Sequence, residues 1–220
     1  MKTRTIVRAH AALVVCLAVS GCLNTTTAGG SYNSVAELIV SSNSAFAEAH
    51  AAGNTTIPDT GSATFKGGAY GLVGDTITSG DASMFAGEAM LMANFGAGTI
   101  SGTVTNLVGA QNVSAAEFWA ASGAQNEAEV ERVIGTTQSI DGEIEVTNGR
   151  ITGELYAADI AGTIDHFGKE IVLGGTGRGS FAGPDAATTS FYTTTSTAGL
   201  LTVTQDGSAK AGIVRIYGER

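Results

Sequence analysis

Apolar and polar residues alternate with a period of two along most of the chain after Gly61. The alternation is clearest in SIDGEIEVTNGRITGELYA (139–157), where Ile140, Ile144 and Val146 share one face and acidic residues occupy the other. This pattern is typical of antiparallel strands with one buried face. It predicts eight strands, near residues 62–73, 84–95, 98–107, 137–147, 150–158, 169–181, 190–204 and 208–217.

The connections between these segments predict a closed barrel. Asn148-Gly149 is the strongest short hairpin signal and predicts the turn between the fourth and fifth strands. Almost every other connection is short enough for antiparallel neighbours, and closure leaves no exposed sheet edge. We therefore expect a mainly β fold, a single eight-stranded antiparallel up-and-down barrel over residues 61–220. Four glycines are expected where this sheet bends or neighbouring backbones crowd: Gly87, Gly102, Gly142 and Gly153.

Two glycine-rich segments raise the alternative of a phosphate-binding loop. NFGAGTISGTVTNL (94–107) and GTGRGSFAG (175–183) share the spacing G-x-G-x-x-x-G. A phosphate loop needs a strand before it and a helix after it. Neither segment leads into a helical pattern, so nucleotide binding is not expected. Gly96 and Gly98 are predicted to form a hairpin turn, and the later glycines to lie in strands.

Two segments carry helical signals instead. Ser34 and Glu37 form a capping box before an apolar stripe that Gly53 can end. This helix is expected to dock on the barrel, which is the commoner outcome for such a stripe, or to end a stalk. The longest interruption of the strand pattern spans residues 112–135. Near its start, Ser114 and Glu117 form a second capping box. The interruption contains Phe118 and the single tryptophan, Trp119.

Phe118 and Trp119 have two interpretations. They belong to a short helix whose aromatic side chains close one end of the barrel, since a tryptophan beside a phenylalanine usually packs. Alternatively they form a partner-facing loop with Trp119 as an anchor. Phe118 and Trp119 are therefore the candidate interface residues.

The N-terminus predicts export and lipidation. Basic residues, a short apolar run and Ser20-Gly21 precede Cys22, and the apolar run is too short to span a bilayer. VSGC resembles the bacterial lipobox, in which the cysteine is acylated and becomes the first mature residue. The alternative is an ordinary signal peptide cut near Gly21, with Cys22 an incidental thiol. The predicted organisation is a signal peptide (1–21), a lipidated stalk with a short helix (22–60) and the barrel (61–220).

Cysteine usage supports lipidation. The two cysteines are Cys16 and Cys22, and Cys16 lies in the segment that would be removed. A single remaining thiol cannot form an intrachain disulfide, and acylation explains its place in an oxidising compartment. Leu23 follows in place of an aspartate. By resemblance to proteobacterial lipoproteins, this favours the outer membrane, on its periplasmic or its surface-exposed face.

The charge excludes some partners. Removal of residues 1–21 takes away three of the 11 basic residues and no acidic one. The remaining 8 basic and 20 acidic residues give a net charge of −12. Such an acidic chain is not expected to bind nucleic acid or anionic membrane surfaces. Basic proteins and cations remain open as partners.

Candidate chemistry is sparse. His50 and His166 have no second ligand at metal-binding spacing, and Asp165-His166 is predicted to lie in a loop rather than to form a dyad. Glu143 and Glu145 share a strand face but fit a solvated surface. No Gly-x-Ser-x-Gly elbow is present. We therefore expect no enzyme, no metal and no cofactor.

Four segments resemble a known family: GSATFKGGAYGLVG, MANFGAGTISGTV, GRGSFAGPDA and GSAKAGIVRIYGER. They are similar to the β-barrel domain of transferrin-binding protein B and related surface lipoproteins, over about residues 60–220. That protein has two lobes, each a barrel with a handle domain, whereas this chain has room for one barrel and little handle. The resemblance implies a barrel fold and a binding function, but the transferrin-contacting surface cannot be placed on this sequence.

The expected function is therefore an outer-membrane-anchored, non-catalytic binding protein for a host or environmental protein or an iron-containing ligand. The alternative is a structural or assembly lipoprotein of the envelope without a small ligand. A membrane-spanning barrel is disfavoured, because such barrels carry aromatic girdles and a lipid-facing apolar band. Aromatic residues make up only 6% of this chain, and acidic residues occupy outward positions.

Overall fold

The computed structural model describes residues 25–27, 30–32, 34–196 and 200–220, so the predicted signal peptide and Cys22 lie outside the described residues. The helices in the described part are α1 (Val35–Ala51), α2 (Ala115–Gly123) and α3 (Glu127–Ile134). The strands there are β1 (Thr25–Thr27), β2 (Gly30–Tyr32), β3 (Ser62–Gly74), β4 (Ala82–Asn94), β5 (Thr99–Val113), β6 (Gln138–Ser139), β7 (Asp141–Thr152), β8 (Leu155–His166), β9 (Lys169–Ala182), β10 (Thr188–Thr194), β11 (Leu201–Gln205) and β12 (Ser208–Glu219).

The strands from β3 to β12 form the predicted antiparallel barrel. Each strand position pairs with the next along the chain, and β12 pairs with β3 to close the ring. β10 and β11 both lie between β9 and β12 and share one position, so the barrel has eight positions. β6 adds a two-residue pairing to the end of β5. The predicted fold class is confirmed.

The predicted hairpin at Asn148-Gly149 is wrong. β7 continues through these residues to Thr152, and its register with β8 shifts between Thr147 and Arg150, which is a β-bulge. Asn148 has a left-handed φ of 53°, and its side-chain amide donates a hydrogen bond to Asp159 Oδ2 at 2.8 Å. Left-handed Asn suits a bulge as well as a turn, so the dipeptide alone cannot separate the two. The actual turn is at Gly153, with a φ of 60°.

The predicted strand 190–204 is interrupted. β10 pairs with β9 up to Arg178, and β11 resumes the pairing from Gly175. Thr176 of β9 lies opposite the interruption and donates a backbone hydrogen bond to the Leu200 carbonyl. The apolar and polar pattern continues across the break, because both short strands occupy the same position between the same neighbours.

α1 docks on the outside of the barrel, as the first of the two alternatives predicted. Ser34 Oγ accepts a hydrogen bond from the Glu37 amide at 3.0 Å, which confirms the capping box. Leu38 lies over Gly68 of β3, and the Phe46 ring lies 6.0 Å from that of Tyr217 in β12. α1 therefore covers the two strands that close the barrel.

Two helices occupy the long interruption between β5 and β6, where one short helix was predicted. Ser114 caps α2 by accepting from the Glu117 amide at 3.5 Å, and Asn126 caps α3 by accepting from the Glu129 amide at 3.2 Å. Both helices lie against the outer wall. The prediction that their aromatic side chains close one end of the barrel is therefore wrong.

The packing has two layers that share one sheet. The inner layer fills the barrel with the inward side chains of its strands, among them Phe65, Phe85 and Phe191. The outer layer lies between the three helices and the outward side chains of β3, β4, β5 and β12. Strands facing both layers are buried on both sides, and the remaining strands alternate buried and exposed residues.

The segment predicted to be a flexible stalk contains a small ladder. β1 and β2 pair antiparallel, with Thr25 opposite Tyr32 and Thr27 opposite Gly30. The lipid attachment predicted for this region falls on Cys22, outside the described residues.

Candidate functional site

The barrel interior is filled with aromatic and branched side chains. Phe181 contacts three other rings there, with its ring centroid 5.6 Å from that of Phe65, 5.6 Å from that of Phe95 and 5.2 Å from that of Tyr156. These contacts are within the range of favourable aromatic pairs. The described residues of the interior therefore form a packed core, as in other small barrels, and this core stabilises the fold.

The glycine-rich segment 175–183 supplies space for this core. A Cβ at Gly177 would overlap the ring of Phe191, and a Cβ at Gly179 would overlap the ring of Tyr156. Both glycines lie in β9, so the spacing that resembles a phosphate loop is a strand pattern. In the other segment, Gly98 is a turn residue with a φ of 64° and Gly102 lies in β5, as predicted.

Backbone crowding explains three of the four glycines singled out in the sequence. A Cβ at Gly87 would lie 2.7 Å from the Thr105 carbonyl oxygen. At Gly102 and Gly142 it would overlap backbone carbonyls of the adjacent strands. Gly153 is different, because nothing lies within 4 Å of an added Cβ and the residue serves the β7–β8 turn.

Asp165 and His166 are the last two residues of β8, so the predicted loop assignment is wrong. Phe167 and Gly168 form the turn, with positive φ values of 58° and 79°. His166 points inward and is fully buried, whereas Asp165 is exposed and accepts a hydrogen bond from the Gly168 amide. Since adjacent strand residues face opposite sides, the two side chains form no dyad.

The imidazole of His166 is held neutral inside the barrel. Its Nε2 donates to the Met84 carbonyl at 2.9 Å, and its Nδ1 has no partner among the described residues. Burial lowers the pKa of His166 below its usual value, because a charged imidazole would lose its hydration. Gly109 makes room for the ring, since a Cβ there would lie 2.9 Å from Nε2.

The outer wall of β7 and β8 carries no helix and is acidic. Glu143 and Glu145 project outward as predicted and are exposed. They border an open groove of about 560 Å³, lined by Gly142, Glu143, Glu145, Ala161, Gly162 and Thr163. Neither carboxylate belongs to a salt bridge within the described ranges.

The candidate interface residues lie on the opposite, helix-covered wall. Phe118 is fully buried, 5.8 Å from the ring of Tyr70 in β3, and packs in the outer layer. Trp119 is half-buried, 6.1 Å from the same ring. Only Trp119 therefore has surface available to a partner in this arrangement. A binding role for it remains a prediction.

Trp119 belongs to a cluster around Arg215 that the sequence analysis missed. The guanidinium of Arg215 lies 5.3 Å from the centre of the Trp119 ring and 5.5 Å from that of Tyr192, within cation–π range. Its Nη1 donates to the Tyr217 hydroxyl at 3.4 Å. The alternation in GIVRIYGE (212–219) places Arg215 and Tyr217 outward, but only the barrel register brings Tyr70 and Tyr192 beside them.

No group of three or more His, Cys, Asp and Glu side chains in the described residues is arranged to hold a metal ion. No helix in the same part of the chain has the length and apolarity needed to cross a membrane.

No protein-family model matches this chain, and no curated protein sequence matches it.

Proposed function

We propose that this protein is an outer-membrane lipoprotein, anchored through Cys22, that binds a protein partner without catalysis. The observation that carries the proposal is the division of the barrel into a filled interior and a partly uncovered outer wall. Because side chains occupy the interior, binding has to use the outside of the molecule. The sequence supplies the rest of the proposal, through its lipobox-like N-terminus and its resemblance to transferrin-binding protein B.

The partner class follows from the same resemblance. We propose a host or environmental protein, or an iron-containing ligand carried by one, bound at the outer surface of the cell. The polar outer strands support an anchored protein instead of a membrane-spanning one, since Asp141, Glu143 and Glu145 would face lipid in a spanning barrel. Trp119 is the proposed anchor residue because it is aromatic, half-buried and beside a cation.

The second candidate is a structural or assembly lipoprotein of the envelope. The helices α1, α2 and α3 favour it in one respect, because they add a second packed layer to the outside of the barrel. The two functions differ in where the protein lies on the cell.

Two measurements together test the proposal. Protease added to intact cells should remove a surface-exposed barrel and spare a periplasm-facing one. The full-length protein, immobilised in detergent, should then retain a specific protein from host fluid or growth medium. Its Trp119→Ala variant should lose that partner while remaining folded at the temperature of the binding measurement. Protection from protease together with no retained partner would refute surface capture and leave the structural role.

A further inference from the structure

Arg215 is a partly buried cation that forms no salt bridge with a described residue, in a protein with a net charge of −9. The salt bridges of the described residues involve Arg132 and Lys210 only. A buried charge is costly unless it is paired, and the cation–π contacts to Trp119 and Tyr192 offset only part of that cost. Within the described part of the chain, the surroundings of Arg215 therefore provide no negative group to pair with it.

Several buried donors of the same cluster also lack a hydrogen-bond acceptor. Three buried atoms, Arg215 Nε, Trp119 Nε1 and Tyr70 Oη, have no hydrogen-bond partner among the described residues. Burial raises the pKa of Tyr70, whose side chain is fully buried, so its hydroxyl stays protonated and able to donate. The guanidinium and indole N–H groups are donors and the Tyr70 hydroxyl can donate, and buried donors without acceptors are rare. The half-buried side chain of Arg215 is the charged member of the cluster that a negatively charged acceptor can approach from solvent.

The barrel register extends this site into a row. On adjacent strands, Arg215 lies opposite Tyr192, and Tyr192 lies opposite Arg178. Arg178 in turn lies opposite Ala157, and Ala157 lies opposite Arg150. Arg150, Arg178 and Arg215 therefore lie at one level of the outer wall, on alternate strand positions. Two strand spacings separate each pair, or about 10 Å. None of the three arginines forms a salt bridge to a described residue.

We propose that this arginine row, Arg150, Arg178 and Arg215, binds an extended acidic polypeptide segment through its carboxylates. An extended chain advances about 3.3 Å per residue, so carboxylates three residues apart match the spacing of the row. Arg is the side chain best suited to hold a planar carboxylate by two parallel hydrogen bonds. The segment lies across the strands and ends at Arg215, beside Trp119.

A polypeptide fits this site better than a bilayer of anionic lipid. Arg215 is recessed between two aromatic rings, where a side chain reaches it but a broad flat surface does not. The exposed Glu143 and Glu145 of the β7–β8 wall would repel a broad anionic bilayer, whereas a single extended segment contacts the row alone. The proposal rests on the proposed function only in assigning the acidic segment to a protein partner, since the chain's own residues define the site.

The fluorescence of Trp119, the single tryptophan, reports binding directly. The full-length protein in neutral detergent is titrated with hexaglutamate at constant ionic strength. Parallel titrations use hexaglutamine, inorganic phosphate and vesicles of anionic lipid. We expect saturable binding of hexaglutamate and weaker or absent binding of the other three. Equal binding of hexaglutamine, or tighter binding of phosphate or vesicles, would overturn the proposal.

Variants assign the binding to the row. Arg215→Gln should weaken hexaglutamate binding about ten- to a hundredfold, because it removes a charged hydrogen-bonding group. Arg178→Gln should weaken hexaglutamate binding about two- to fivefold, as expected for an exposed charge. This second variant keeps the test valid if Arg215→Gln does not fold. Arg132→Gln makes the same charge change on exposed α3 and should leave binding unchanged. Equal losses in all three variants would show a nonspecific charge effect and refute the site.

Failure of this inference differs from failure of the proposed function. If the protein binds hexaglutamate at the arginine row but captures no partner on cells, the site is supported and surface capture is refuted. If it captures a partner but does not bind hexaglutamate, surface capture is supported and the site is refuted.

Discussion

The phenol ring of Tyr156 fills the space that a side chain at Gly179 would need. The two residues are paired on the adjacent strands β8 and β9, and a Cβ at Gly179 would overlap the ring. The Tyr156 hydroxyl donates to the Ser190 carbonyl at 2.9 Å and lies 3.0 Å from Thr189 Oγ1, so the ring is fixed at both ends. The ring and the glycine therefore depend on each other.

Gly179→Ala should lower the free energy of unfolding by about 1–3 kcal/mol, the usual cost of overpacking a core. Denaturant unfolding of the wild type and the variant measures the difference. Gly80→Ala is the matched control, because nothing lies within 4 Å of a Cβ at that position, and it should change stability by less than about 0.5 kcal/mol. Equal stability of the wild type and Gly179→Ala would show that the ring moves freely.

Acid should destabilise the protein through His166. The pKa of His166 is lowered in the folded protein, so the unfolded chain binds the proton first as the pH falls through 6.5. Its contribution to stability is therefore present above that pH and is progressively lost below it. Unfolding measurements from pH 8 to pH 5 should show this loss in the wild type and a smaller loss in His166→Asn.

A second core variant controls for general weakening of the barrel. Ile164→Val removes a methyl group two residues away, at a fully buried position, without changing a titratable group. It should cost about 0.5–1.5 kcal/mol, with the same pH dependence as the wild type. If His166→Asn keeps the full wild-type pH dependence, another group causes the acid sensitivity.

Trp119 and Phe118 should differ in their effect on stability. Phe118→Ala removes a fully buried ring and should cost about 3–5 kcal/mol. Trp119→Ala removes a half-buried ring and should cost less, about 1–3 kcal/mol, if the side chain serves packing. Thermal unfolding of the two variants measures the difference. No change of stability in Trp119→Ala, together with lost capture of a partner, would identify Trp119 as an interface residue.

Cys22 should determine attachment to the membrane. Cys22→Ser removes the predicted acylation site and should move the protein from the membrane fraction to the soluble fraction, because several acyl chains account for durable anchoring. Cys16→Ser is the matched control and should leave the protein membrane-bound. Mass spectrometry of the N-terminal peptide checks the modification, and an unmodified Cys22 thiol would refute the anchor.

The sequence predicted the barrel because alternation survives wherever one face of a strand is buried. It was less informative where both faces are buried or where backbone geometry decides the outcome. Asn148 suits a bulge and a turn equally, so the β7–β8 hairpin was misplaced. The second helix of the interruption, α3, was missed as a separate element because it has only eight residues.

The arginine row could not be predicted from local pattern. Arg150, Arg178 and Arg215 are far apart along the chain, and their alignment depends on the stagger of all the strands between them. The bulge in β7 shifts Arg150 by one residue relative to β8, so a correct strand list without that bulge would still place it on the wrong face. By contrast, the outward position of Glu143 and Glu145 needed only the alternation within one strand.

The pairing of β12 with β3 has a consequence for biosynthesis. These strands come from opposite ends of the barrel sequence, so the ring cannot be completed until β12 has been synthesised. Until then β3, β10 and β11 present unpaired backbone groups, which favour association between incomplete chains. Loss of the last twelve or so residues should therefore harm folding more than an equal deletion elsewhere at the surface, since α1 would rest on an open edge.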